Sequence, residues 1–322
     1  MSEQSASILY DIPGPRARRI TLISSAIAGV LVLVGVYFLV YRPLADNGEF
    51  SGEKWGPLLN PGNEVFSLVW NRLAFGARQT LIAAVLAILF SLVAGTLLGV
   101  LRIQLRALLQ RRFTGLAVPA AYGLRGLSWL LNTITRICVE VFRGLPVVIT
   151  IFFVSRLGPS IGFSVANPMW YLVVGLTIYN MVVIAEILRS GMTGLPGGQA
   201  EAAAALGLSS FQTTRLILLP QAFRVMLPAL ISQLVVVLKD TSLGVLISYE
   251  ELLNVGKQIT GTLSNPIQVY AVIGAMYITV NYALSKLAQY IQRRAARGMR
   301  VKVEELPQVP PSVGMGTPGG MA

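Results

Sequence analysis

Six apolar stretches, each about as long as a bilayer core requires, recur along this 322-residue chain: 20–41, 75–101, 129–155, 170–190, 222–248 and 268–290. A helix needs about 20 such residues to cross hydrocarbon. Lipid offers the backbone no hydrogen-bond partners, so a crossing segment must satisfy its own groups as a helix or join a closed barrel. Barrel strands read as short alternating segments, whereas these stretches are continuous and rich in Leu, Val, Ile, Ala and Gly. The expected fold is therefore an all-α membrane protein with about six transmembrane helices. At 54% hydrophobic and 12% charged residues, the chain holds more apolar surface than one soluble core could hide. The first stretch follows Arg16, Arg18 and Arg19, as a signal peptide would. It exceeds the usual signal core of about 7–15 residues, and Tyr37 to Pro43 has no convincing small-residue cleavage site, so it reads as a retained span.

A net charge of +12 would point to nucleic acid in a soluble protein. Here the basic residues gather just beyond the apolar stretches and lack the aromatic interleaving of a single-strand binder, so nucleic acid is set aside as a partner. With the N-terminus inside, the inner segments collect Arg16, Arg102, Arg106, Arg111, Arg215, Arg293 and their neighbours. The opposite face holds Arg42, Lys54, Arg72, Arg156 and Lys257, and the positive-inside rule then puts both termini in the cytoplasm. The chain divides accordingly into a cytoplasmic N-terminus (1–19), a first helix (20–41), an outer loop (42–74), a membrane domain (75–291) with an inner loop at 193–221, and a cytoplasmic tail (292–322). The outer loop, with Asn47-Gly48 and Asn60-Pro61-Gly62, is expected to be irregular and wet. The tail, rich in Pro and Gly from Leu306 onward, is expected to be disordered. Within the inner segment 102–128, Leu116 to Leu124 is too short to span and is expected on the membrane surface. The chain has no histidine and one cysteine, Cys138, which removes disulfides, His-based metal sites, Ser-His-Asp triads and Cys-His pairs. No metal and no cofactor is expected, and Cys138 reads as a small apolar filler.

The inner loop carries Glu201-Ala202-Ala203-Ala204-Ala205-Leu206-Gly207, a run of high helix propensity that Gly207 can close in the left-handed conformation. Ser209 or Ser210 can cap a second short helix through Leu216, Pro220 marks its exit, and Pro228 can kink the start of span five. From spacing alone, this is a helical hairpin joining two spans.

Glu201-Ala202-Ala203, Gly207 and, after nine intervening residues, Ile217-Leu218-Leu219-Pro220 resemble the EAA motif of bacterial ATP-binding-cassette (ABC) importer permeases. Glu140-Val141-Phe142-Arg143-Gly144-Leu145-Pro146, Glu186 to Gly191, Leu219 to Arg224 and Leu238-Lys239-Asp240-Thr241-Ser242-Leu243 resemble the polar amino-acid branch of that family, and the resemblance runs from about Gly76 to Tyr290. It looks closest to glutamate-type permeases of actinobacteria that carry an added N-terminal span. The resemblance implies a five-helix permease core plus one N-terminal helix in a bacterial plasma membrane. It also implies a polar amino-acid substrate, a cytoplasmic ABC ATPase dimer, an extracytoplasmic solute-binding protein and a second permease, a related chain being favoured over a second copy. Glu201, Ala202, Ala203, Gly207 and Pro220 would couple the permease to the ATPase. A partner is needed for ATP, because the chain contains no G-x-x-x-x-G-K-[ST] loop.

Ionisable groups inside a membrane are costly and are functional candidates by default. Span three carries Arg136, Glu140 and Arg143 on one helical face, which is equally a salt-bridge ladder, and Gly144 and Pro146 should break the helix beyond them. Span five is interrupted by Lys239, Asp240, Thr241 and Ser242, whose charges and hydroxyls suit an amino acid's carboxylate and ammonium or, alternatively, fix helix packing. Asn180 and Glu186 in span four are weaker substrate-binding candidates, and Glu186 can simply pair with Arg189. Gly95 and Gly99 form a G-x-x-x-G expected to allow close helix approach. Two rival readings are a single-chain ion-coupled carrier, which shows no inverted repeat, and an intramembrane hydrolase using Ser242 with Lys239, which lacks a nucleophile turn. The leading expectation is a transport subunit and not an enzyme.

Overall fold

A computed structural model describes residues 14–110 and 118–297. Arg111, Arg112, Leu116, most of the expected N-terminal segment and the tail from residue 298 lie outside the described residues. The described residues are almost wholly helical and contain no strand. Ten helices are numbered here in chain order. The membrane-crossing set is α1 (Pro15–Asp46), α3 (Phe66–Gln110), α6 (Met169–Thr193), α8 (Ser210–Ile247) and α10 (Pro266–Arg297), each long and apolar enough to span a bilayer. A sixth span arises when α4 (Val118–Gly144) and α5 (Val147–Leu157) count as one bent crossing. The short helices are α2 (Gly52–Leu59), α7 (Gly198–Ala205) and α9 (Leu252–Leu263).

The described residues form two compact units, one gathered from 14–86, Ile151–Gly175 and Asp240–Ile278, the other from 87–110, 118–150, Leu176–Lys239 and 279–297. In the first unit, the core is Leu58, Val69, Leu73, Leu252, Val255, Ile259, Val269 and Ile273. Glycines let the helices meet there: a Cβ on Gly76 would lie 2.9 Å from the Leu252 backbone, and one on Gly256 only 2.1 Å from Ile273. In the second unit, Ile184, Leu188, Met192, Ala222 and Leu230 form the core. The G-x-x-x-G of α3 lies against α6 as expected. A Cβ on Gly95 would stand 2.7 Å from Ile184, and one on Gly99 would stand 3.2 Å from the Ala185 carbonyl.

Helix α1 buries none of its residues, and Leu22, Leu31 and Leu39 are 71%, 66% and 80% exposed. A helix apolar on all sides and unburied by its own chain suits a lipid surrounding. Its C-terminal end is held by rings: Tyr37 stacks on Tyr41 and Tyr41 on Phe50, both at 5.6 Å between centroids.

The structure corrects the expected irregular outer loop. The segment 42–74 contains the end of α1, all of α2 and the first turns of α3, which begins at Phe66, before the 75–101 span read from hydropathy. Polar residues in this segment misled the reading because they serve as anchors. Lys54 donates to Glu49 at 2.6 Å, Gln268 donates to both the carbonyl and carboxylate of Glu49 at 2.5 and 3.0 Å, and Trp55 Nε1 donates to the Glu49 carbonyl at 3.0 Å. Asn265 completes the attachment by donating to the Lys54 carbonyl at 3.0 Å.

The expected break in span three is present. Pro146 has no N–H to continue the ladder, Leu145 donates back to Val141 at 3.1 Å, and the axis turns by 108° between α4 and α5. Span five differs from expectation. Lys239 to Ser242 do not open the helix: α-helix runs through Asp240 and tightens into a 3₁₀ stretch at Thr241–Ile247, so its backbone groups stay bonded within the helix. Cys138 is exposed and fills no core gap.

Two measurements check this packing. Gly95→Val, which drives a branched side chain into Ile184, is expected to cost about 1–3 kcal/mol and lower the melting temperature in detergent; Gly29→Val, at a position with nothing within 4 Å, leaves it unchanged. The hydrogen bonds from Lys54 and Gln268 hold the Glu49 carboxyl below its usual range. A depressed folded pKa means that the anchor contributes fully above the unfolded value of about 4.3 and is lost as pH falls through the lower folded value. Acid titration of Trp55 fluorescence should show this loss, and Glu49→Gln should flatten it.

Candidate functional site

The loop between α6 and α8 is a rigid corner. Alanines carry α7, and its end is closed by Leu208 N–H donating to the Ala203 carbonyl at 3.1 Å and Gly207 N–H to the Ala204 carbonyl at 3.0 Å. These paired bonds form a Schellman turn, which requires a left-handed residue, and Gly207 has φ of +76°. The next helix starts with a capping box. Gln212 N–H donates to Ser209 Oγ at 3.3 Å, and Ser209 N–H donates to Gln212 Oε1 at 2.8 Å. Ala203 is buried, whereas Glu201, Ala202 and Gly207 are exposed, so the corner presents one acidic group beside small residues and the exposed apolar side chains of Leu206 and Phe211.

Pro220 does not mark an exit. The helix continues through a wide π turn at Thr214–Leu218, where Leu219 N–H donates to the Thr214 carbonyl, into Leu219–Asp240. The wider turn precedes Pro220 where its ring would otherwise clash with the carbonyl four residues back. The corner is also fastened to its surroundings: Gln104 of α3 donates to Thr214 Oγ1 at 2.9 Å, and Gln221 donates to Gln199 Oε1 at 3.3 Å. These two glutamines were not singled out in the sequence, because their partners lie far off in the chain.

Among the intramembrane candidates, Arg136 donates to Glu140 at 2.9 Å on the exposed face of α4, with Arg143 also exposed. This supplies one rung of the salt-bridge ladder. Asn180 is fully buried, donating to the Leu176 carbonyl at 2.8 Å and accepting from Gln233 of α8 at 2.7 Å. Its amide therefore joins two spans; Gln233, a polar residue inside an apolar run, was missed by the sequence reading. Glu186 binds Arg189 as expected, with Arg189 Nε at 3.0 Å, and also accepts from Arg102 of α3 at 2.5 Å. The structure thus makes Glu186 the centre of a three-residue ionic cluster. Lys239 is exposed at the end of the second unit's stretch of α8, whereas Asp240 and Ser242 are half-buried and Thr241 is fully buried in the first unit. Among the described residues, no group of three or more His, Cys, Asp or Glu could hold a metal ion.

Long apolar helices, buried polar links between spans and a rigid helical corner between two of them define a multi-pass helical membrane protein. The chain belongs to the family of inner-membrane components of binding-protein-dependent transport systems, whose model matches residues 113–297. It is 38% identical over 272 residues to the glutamate transport system permease protein GluD of Corynebacterium glutamicum, covering 83% of this chain and 89% of that one. Identity to the glutamine transport system permease protein GlnP of Escherichia coli is 30% over 233 residues, covering 71% and 96%. Among solved structures, an amino acid ABC transporter crystallised with histidines matches with a TM-score of 0.56 at 22% identity, over 72% of this chain and 99% of that one. The MetNI methionine transporter in an inward-facing conformation matches with a TM-score of 0.56 at 21% identity, over 72% and 99%. The fold is therefore that of the ABC importer permeases.

The corner's dependence on a left-handed residue is testable in detergent. Gly207→Asn, a residue that tolerates this conformation, should melt close to the wild type, while Gly207→Val should lose about 1–2 kcal/mol.

Proposed function

We propose that this chain is the membrane-spanning permease subunit of an ABC importer that moves a polar amino acid, glutamate, into the cytoplasm by alternating access. The observation that carries the reading is the closed, capped corner at Gly198–Thr213, a compact element that a partner's groove can grip. A rigid knob transmits a partner's motion to the spans, whereas a floppy loop would absorb it. Glu201, Ala202 and Gly207 meet a cytoplasmic ATPase dimer, the buried Ala203 backs that surface from inside, and Pro220 lies within α8 just past the π turn that leads from the corner. The similarity to GluD supports glutamate as substrate. A solute-binding protein delivers it from outside, and a second permease, a related chain, completes the path. Both termini are cytoplasmic on the strength of the arginine distribution. Glu140, Arg143, Asn180 and the Lys239, Asp240, Thr241 and Ser242 group are assigned to the substrate path, with Asn180 acting through its link to Gln233. Membership of a binding-protein-dependent family supports the importer reading over the single-chain ion-coupled carrier and the intramembrane hydrolase.

The test is uptake of labelled glutamate into vesicles holding this chain with its partner permease, ATPase and binding protein. Uptake should require ATP, and Gly207→Asp should abolish it while the complex still assembles. Uptake that persists without any ATPase overturns the reading.

A further inference from the structure

Two adjoining cavities in the first unit share the residues Pro168 and Ser248. One, of about 290 Å³, is bordered by Gln79, Asn167, Tyr249 and Glu250. The other, of about 260 Å³, is bordered by Ser155, Arg156 and Tyr171. One half thus carries a carboxylate, the other a guanidinium, with hydroxyls and carboxamides between them. None of these residues belongs to the substrate path assigned above.

The walls are pre-organised. Ser248 holds a left-handed backbone, φ +58°, a conformation that costs a non-glycine residue energy and persists only where its neighbours impose it. They do so here. Tyr249 N–H donates to the Gly244 carbonyl at 3.0 Å, and its hydroxyl donates to the Gln79 carbonyl at 3.0 Å. Asn254 donates to the Tyr249 carbonyl at 2.9 Å. Beneath the turn, the fully buried Glu251 caps α9 by accepting from Leu253 and Asn254 N–H groups at 2.8 and 2.7 Å. The facing loop is tied as well: Val165 N–H donates to the Tyr171 hydroxyl at 3.1 Å, and Met169 N–H donates to Asn167 Oδ1 at 2.9 Å.

A small solute that carries both an anionic and a cationic group suits two adjoining cavities of which one is bordered by Arg156 and the other by Glu250. We infer that the double cavity around Ser248 is an outer holding site for a zwitterionic α-amino acid, its carboxylate met by Arg156 and its ammonium by Glu250. The inference deepens the amino-acid reading and rests on it for the nature of the solute. In the topology argued above, the cavities open on the outer side, where an amino acid released by the binding protein would first be caught. Arg156 is kept in place by stacking over Phe152, with its guanidinium carbon 5.5 Å from the ring centroid. Glu250 is shared with Arg72, at 3.5 Å, and is itself half-exposed, so the pair can yield to an incoming ammonium.

The experiment uses the assembled transporter in nanodiscs for equilibrium binding of tritiated L-glutamate without binding protein, and in vesicles for ATP-driven uptake. Arg156→Gln and Glu250→Gln should each weaken binding and raise the uptake KM about tenfold, or about 1.4 kcal/mol. Arg72→Gln, which removes the same ion pair but lies outside both cavities, should change neither. Glutarate, which lacks the ammonium, should discriminate between the variants: its competition with the label is lost in Arg156→Gln and kept in Glu250→Gln. Variants that bind and transport like the wild type overturn the holding site while leaving the importer intact. A loss traced instead to weaker docking of the binding protein, with unchanged glutamate binding in its absence, also overturns it. Absence of ATP-dependent uptake in the wild type would sink the importer reading, and nanodisc binding would still decide the site by itself.

Discussion

A backbone in hydrocarbon can bond only to itself or to the protein around it, and this constraint governs where the helices of this chain depart from regular geometry. The bend between α4 and α5 comes at Gly144-Leu145-Pro146, where Leu145 still reaches Val141. Pro220 is preceded by a π turn instead of a break. The polar run at Lys239 to Ser242 tightens into 3₁₀ geometry, exchanging one internal bonding pattern for another. Where the chain does leave the helix, at Gly207 and at Ser248, the neighbouring carbonyls and amides are collected by explicit turn bonds.

The same economy applies to side chains. Within each unit the apolar core is brought together by glycines, and some of the polar groups that enter it are joined across helices. Asn180 with Gln233, and Glu186 with Arg102 and Arg189, tie spans that apolar packing alone would leave free to slide, since lipid tails compete equally for apolar surface. Such links make the spans they join behave as one piece. The capped corner at Gly198–Thr213 belongs to the same design, because its two helices are stiffened by local bonds and fastened through Gln104 and Gln199 to the spans beside it.

Length and continuity of apolar runs determined the fold class and the approximate spans, because the thickness of a bilayer leaves little choice. The corner was legible in part: Gly207 is where the chain needs a left-handed residue and Ser209, one of two serines that could cap, supplies the cap, but the helix runs on through Pro220. The break at Pro146 and the close approach at Gly95 and Gly99 were readable for the same reason, each being a short-range consequence of a missing N–H or a missing Cβ. Hydropathy failed in the segment 42–74, whose polar residues looked like loop but anchor helices.

What only the tertiary structure decided are the long-range partners. Nothing local in Gln268 announces that it holds Glu49 across more than two hundred residues, or in Arg102 that it shares Glu186 with Arg189. Nor does the sequence show that Ser248 sits where two cavities meet, with Arg156 on one side and Glu250 on the other. Periodicity and turn chemistry act over a few residues and can be read from a string; pairing and enclosure depend on which surfaces the folded chain brings within a few ångströms, and the string does not carry that.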